Sequence, residues 1–145
     1  MRRREFLSLG ALVLLPQAGR DAVPAPADLI ADLVAGNHIL AKEGVLDGYG
    51  HISVRHPGNR ERFLLARSLA PELVAASDIL EFGLDGEPID AKGRTAYKER
   101  FIHSEVYRAR ADVNAVVHCH TPSLIPFADS SVPIRPKCSL TFTVP

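Results

Sequence analysis

Apolar positions along this chain switch between a period of about 3.6 residues and a period of 2, and the switches mark its elements. From Asp28 to Glu43 they recur at helical spacing through Leu29, Leu33, Gly36 and Leu40. Asp28, after Pro26, is the expected N-cap, and Gly44 the expected glycine just beyond the helix end. The period then shortens. His51-Ile52-Ser53-Val54-Arg55 alternates after the glycine-bearing turn Asp47-Gly48-Tyr49-Gly50. It leads through His56-Pro57-Gly58-Asn59 to Arg62-Phe63-Leu64-Leu65 as its hairpin partner. Ile79 to Leu84 reads as a further short strand closed by Asp85-Gly86-Glu87-Pro88. The helical period returns from Tyr97 to Arg110, with an apolar face of Phe101, Ile102, Val106 and Ala109. The apolar run Val113 to Val117 reads as a buried strand, after which Thr121-Pro122 turns the chain toward a helix starting near Ser123. Strands and helices mixed in this way predict an α/β fold.

Composition narrows the picture. A chain of 145 residues with 46% hydrophobic and 23% charged residues suits one domain with a real core, and argues against disorder. The formal charge is zero and no basic block lies outside the first four residues, so nucleic acid is not an expected partner. Residues 1–27 read as an export signal rather than as part of the fold. Arg2-Arg3-Arg4 precedes Glu5-Phe6-Leu7, an apolar stretch to Leu15, and Ala25-Pro26-Ala27. Arg3-Arg4 with Phe6-Leu7 is similar to the twin-arginine signal, which places the remainder, 28–145, in the periplasm, with the cytoplasm as the alternative. The apolar stretch is too short for a membrane span of about 20 residues. Cys119 and Cys138 are expected to be small buried thiols rather than a disulfide.

The candidate chemistry centres on His118-Cys119-His120, which closes the last apolar run. On a strand His118 and His120 project to one face, with Cα atoms roughly 6.5–7 Å apart, and Cys119 to the other. Two imidazoles at that spacing can converge on one divalent ion; the plainer reading is a pair that caps the strand with hydrogen bonds. Glu99 and His103 stand at i, i+4 on the preceding helix, and that helix feeds directly into the strand. Glu99 is therefore a candidate third member, while His103 reads as a structural histidine.

Three blocks together make the chain resemble the class II aldolase/adducin family, zinc-dependent sugar-phosphate aldolases with epimerase and decarboxylase relatives. They are Gly48-Tyr49-Gly50-His51-Ile52-Ser53-Val54-Arg55, then Glu99 to His103 with Val106-Tyr107 and Arg110 to Val113, then Asn114 to Thr121. The resemblance implies a three-layer α/β/α domain with a mostly antiparallel or mixed central sheet. It implies that His118 and His120 ligate zinc, or another divalent ion such as manganese, and that Glu99 is the acid/base and can itself ligate. It implies that the loop at Gly50, with His51 and Ser53, holds the substrate's phosphate or carboxylate. A small-molecule substrate and a homo-oligomer are implied as well.

The chain also departs from the family. His51 replaces the aldolases' Asn, and Ala66-Arg67-Ser68-Leu69-Ala70 replaces their Thr/Ser-Gly phosphate turn. Arg67 and Ser68 could bind a carboxylate, since a guanidinium forks onto one well; Arg67 reads equally as a strand-end surface charge. The family takes its third zinc histidine, and usually a catalytic tyrosine, from a segment beyond residue 145, so the domain is expected to be incomplete at its C-terminus. The expected function is a metal-dependent lyase. It would perform aldol cleavage or decarboxylation of a small hydroxylated oxo or carboxylate compound through a metal-stabilised enediolate. The alternative is a non-catalytic, truncated or adducin-like binding domain.

Overall fold

The computed structural model describes residues 23–132. Its elements run in the order α1 (Ala27–Lys42), β1 (His51–Arg55), β2 (Arg62–Ala66), β3 (Ile79–Gly83), α2 (Arg100–Ala109), β4 (Ala115–His118) and α3 (Ile125–Ala128). Two short 3-10 turns, Pro71–Leu73 and Ala76–Asp78, join β2 to β3. The leader-like residues 1–22 and Cys138 lie outside the described residues. None of the described helices is long and apolar enough to cross a membrane.

The four strands form one sheet in the order β3-β2-β1-β4, and every pairing is antiparallel. Alternation along β1 divides its side chains between two helices. Ile52 points to α1, where its Cδ1 lies 3.7 Å from the position of a Cβ on Gly36. His51, Ser53 and Arg55 point the other way and meet α2. The core lies on this second side. Phe63 stacks on Phe82, its registered neighbour, at 5.3 Å between centroids, and meets the tilted ring of Tyr107 at 5.4 Å; Leu65, Leu80, Val74 and Tyr97 complete the core.

The end of α1 follows the sequence reading. Gly44 takes φ +69°, and the N–H groups of Gly44 and Val45 reach back to the carbonyls of Ala41 (3.0 Å) and Leu40 (2.9 Å). This is a Schellman closure, whose left-handed residue glycine adopts without the backbone strain that a side chain brings.

Several expectations are corrected. Pro26, not Asp28, occupies the N-cap of α1, and Asp28 sits in the first turn with its carboxylate accepting the N–H of Leu29. Thus α1 begins at Ala27, the last residue of the expected leader. The α2 helix begins at Arg100 rather than Tyr97, and its buried face is His103, Ser104 and Tyr107, while Phe101 and Ile102 are exposed. This helix covers the polar β1 side chains His51 and Ser53 and, through Tyr107, Phe63 of the core. The β4 strand is not buried: it is the sheet edge among the described residues, with Val117 exposed. Cys119, at its end, is accordingly half-buried. The last short helix starts at Ile125, two residues beyond Ser123.

Candidate metal centre

Antiparallel pairing brings the candidate site together. The register of β1 against β4 sets His51 opposite His118, and their rings lie 4.9 Å apart at 25°. Gly50 makes this approach possible. A Cβ there would come within 2.8 Å of Leu46 Cδ2 and 3.2 Å of the His118 carbonyl oxygen. Glu99, at the residue that precedes α2, reaches the pair from above. Its Oε2 is 3.6 Å from His51 Nε2 and its Oε1 is 3.7 Å from His118 Nε2. The β4 strand ends at His118, so His120 lies just beyond it rather than on it, yet the two rings converge, Nε2 to Nε2, at 3.1 Å.

The donor chemistry fits a divalent cation. Ligand atoms on a tetrahedral ion with bonds of about 2.0–2.1 Å lie about 3.3 Å apart, close to the His118–His120 and His118–Glu99 separations. The ligand atoms of His51, Glu99 and His118 all lie within 4.8 Å of one another. His51 Nε2 is also buried without a hydrogen-bond partner, so a polar group is aimed into this space unsatisfied.

A second layer holds the imidazoles in place. His120 Nδ1 lies 3.2 Å and 3.3 Å from the two carboxylate oxygens of Asp47. Burial pushes the Asp47 carboxyl up, but the N–H groups of Tyr49 and Gly50 and the His120 contact outweigh it and hold the group below its ordinary value. On the buried side, His51 Nδ1 meets His103 Nε2 at 2.7 Å, His103 Nδ1 meets Ser53 Oγ at 2.6 Å, and Ser53 Oγ meets the Tyr107 hydroxyl at 2.8 Å. Burial, with His118 nearby, lowers the His51 pKa to about 4 against the pull of Glu99. Burial, then the neighbouring His51 and His118, lowers that of His103 to about 3. Arg55 locks the far end. Its guanidinium stacks 4.6 Å over the Tyr107 ring and donates to the carbonyls of Arg60, Tyr107, Arg110 and Val113.

A cavity of about 460 Å³ opens beside Glu99, with Tyr49, Ser68, Leu69, Tyr97 and Lys98 in its walls. The expected site residues fall into three groups. Glu99, His118, His120 and His51 come together, over Gly50. Ser68 lines the cavity. Ser53 is wholly buried behind His51, and the Arg67 guanidinium is held by Asp78 at 2.6 Å, outside the cavity walls. Sequence reasoning missed Asp47, Tyr97 and Lys98. Asp47 was read only as a turn residue, and no local signal shows that a turn carboxylate faces a histidine 73 positions on. Nor did the sequence show that His51 stands opposite His118 with His103 behind it.

Comparisons with known proteins show what this chain is similar to. A family profile described as the Class II Aldolase and Adducin N-terminal domain matches residues 31–142. Over 114 residues the chain is 40% identical to decarboxylase tropJ of Talaromyces stipitatus, covering 77% of this chain and 43% of that protein. Over 108 residues it is 38% identical to the 3,4-dihydroxyphthalate decarboxylase of Arthrobacter keyseri, covering 68% and 42%. The chain thus spans less than half the length of these two relatives. Among solved structures, the L-fuculose 1-phosphate aldolase of Glaciozyma antarctica superposes with a TM-score of 0.65 at 30% identity, over 76% of this chain and 49% of that one.

Proposed function

Because this chain belongs to the class II aldolase and adducin family, we propose that it is a divalent-metal-dependent lyase domain. Its substrate is a small hydroxylated oxo or carboxylate compound, and decarboxylation is the favoured reaction. The observation that carries this reading is His118 Nε2 standing 3.1 Å from His120 Nε2 and 3.7 Å from a carboxylate oxygen of Glu99, which lines the cavity. These three residues would hold the ion, zinc or manganese. When bound, such a cation supplies Lewis-acid charge to an oxygen on which negative charge develops.

The chain's own residues supply the rest. Tyr49, Leu69 and Tyr97 offer apolar and aromatic wall to a flat substrate, and Lys98 and Ser68 offer a cation and a hydroxyl to its acidic group. Decarboxylation breaks the bond to the carboxyl carbon, carbon dioxide leaves, and the electron pair left on carbon takes a proton. Glu99, half-exposed at the cavity, stands where a carboxylate oxygen can take that proton from solvent water and pass it to the carbon. Two decarboxylases at 38–40% identity support this over aldol cleavage, as does His51 in place of the aldolases' Asn. We further propose a homo-oligomer, supported by the exposed apolar side chains of Leu124, Ile125 and Phe127 beyond β4.

Incubating the purified chain and zinc or manganese with 3,4-dihydroxyphthalate, and separately with L-fuculose 1-phosphate, tests the reading. Carbon dioxide release from the acid is expected, reduced roughly 100-fold or more by Glu99→Gln. A protein that binds metal but turns over neither compound nor related ortho-hydroxy acids would instead be a binding domain of the adducin kind.

A further inference from the structure

We propose that His51 is not a third imidazole ligand but a fixed hydrogen-bond donor. Its Nε2–H is held toward an anionic oxygen of the substrate by the buried chain Tyr107–Ser53–His103. The geometry of the donors alone does not separate these roles, since His51 Nε2 lies among the candidate ligand atoms. The direction of the hydrogen bonds does.

The proton count starts at Tyr107. Its side chain is buried, and Ser53 Oγ at 2.8 Å is the hydrogen-bond partner of its hydroxyl. A buried O–H needs an acceptor, so Tyr107 donates to Ser53. Ser53 has one proton, and it must then go to His103 Nδ1 at 2.6 Å. A neutral imidazole that accepts at Nδ1 carries its proton on Nε2, so His103 donates to His51 Nδ1 at 2.7 Å. His51 in turn accepts at Nδ1 and carries its proton on Nε2. Running the chain the other way leaves the Tyr107 hydroxyl proton without an acceptor among the described residues. Both rings are wholly buried and every other member of the chain is a neutral group, so one proton per link is the count.

An Nε2–H has no lone pair for a cation. The His51 Nε2–H is left unsatisfied, with its nearest carboxylate oxygen, on Glu99, at 3.6 Å, beyond hydrogen-bonding distance. A donor buried and aimed into the space between Glu99 and His118 awaits an oxygen there: a substrate carboxylate, or a hydroxyl or oxo oxygen that gains negative charge. The opposite device acts on His120. Asp47 takes its Nδ1–H, which leaves the Nε2 lone pair facing His118. Two histidines at one site are thus set to opposite tautomers, one to ligate and one to donate.

The identity of the acceptor rests on the lyase reading; the tautomer of His51 does not. Long-range proton–nitrogen NMR on the metal-free, nitrogen-15-histidine-labelled chain reads the tautomer directly. The expected result is His51 protonated at Nε2 and unprotonated at Nδ1, with a shift toward mixed tautomers in Tyr107→Phe, which frees the Ser53 hydroxyl to reverse. A His51 protonated at Nδ1 in the wild type overturns the proposal, whether or not the variant folds. Zinc titration supplies the second arm. His51→Gln should keep roughly the wild-type affinity while His118→Ala loses it, and equal loss in both overturns the proposal. Should the wild type bind no zinc, the lyase reading fails, and the NMR result still decides the role of His51.

Discussion

Asp47 and His120, 73 residues apart in sequence, meet at 3.2 Å between a carboxylate oxygen and Nδ1, and the contact turns the other ring nitrogen of His120 toward His118. A carboxylate in this position fixes both the ring orientation and the tautomer of a ligating histidine. Replacing Asp47 by Asn should weaken divalent-metal affinity roughly 10–100-fold without unfolding the chain. Calorimetric titration with zinc checks this; an unchanged affinity would remove Asp47 from the centre.

The buried imidazole of His103 makes the metal-free protein acid-sensitive. Its folded pKa, about 3, lies below the ordinary value of 6.5, so the folded state refuses a proton that the unfolded chain accepts. Its contribution to stability is therefore complete above about pH 6.5 and declines as pH falls from there toward 3. The slope approaches about 1.4 kcal/mol per pH unit. His51, with a pKa near 4, adds in the same direction. Urea midpoints between pH 7.5 and 5, where few carboxylates titrate, should fall steadily; a flat profile would contradict the burial of these rings.

Gly50 has no room for a side chain. A Cβ at 2.8 Å from Leu46 and 3.2 Å from the His118 carbonyl would push the turn away from β4. Gly50→Ala is expected to cost about 1–3 kcal/mol in denaturant unfolding and to weaken metal binding as His118 shifts. Wild-type stability in the variant would show that the turn yields freely.

Arg55 is the residue through which β1 holds the ends of α2 and the loop into β4. Its guanidinium serves four backbone carbonyls while stacked on Tyr107. Arg55→Met keeps much of the apolar stem but takes a donor from four carbonyls, and the loss at the buried Tyr107 carbonyl alone costs about 1–3 kcal/mol. A loss of several kcal/mol is expected, and Lys, lacking the fork, should rescue only part of it.

The leader-like segment predicts export by the twin-arginine route. Changing Arg3-Arg4 to Lys-Lys should leave precursor in the cytoplasm of an expressing bacterium, as fractionation would show; undiminished export would sink that assignment.

Much of the fold was legible in the sequence because local period and turn chemistry decide it. The α1 helix with its Gly44 closure, the β1–β2 hairpin and β3 all fall within a residue or two of their expected places. What escaped was set by pairing at long range. The α2 face differs from the apolar one expected because it covers Ser53 and His51 as well as Phe63. Tyr97 was placed in that helix, but its hydroxyl is tied to the Leu69 carbonyl and the chain turns helical only afterwards. His118, His120 and Glu99 could be found from spacing alone. His51 could not, since only the β1–β4 register sets it opposite His118.

The central claim is that His118, His120 and Glu99 form a metal centre, and metal stoichiometry tests it most directly. Purified wild-type chain, freed of metal and titrated with zinc or manganese, should bind one ion per chain, and His118→Ala should bind none at the same concentrations. Equally little metal in both would contradict the account.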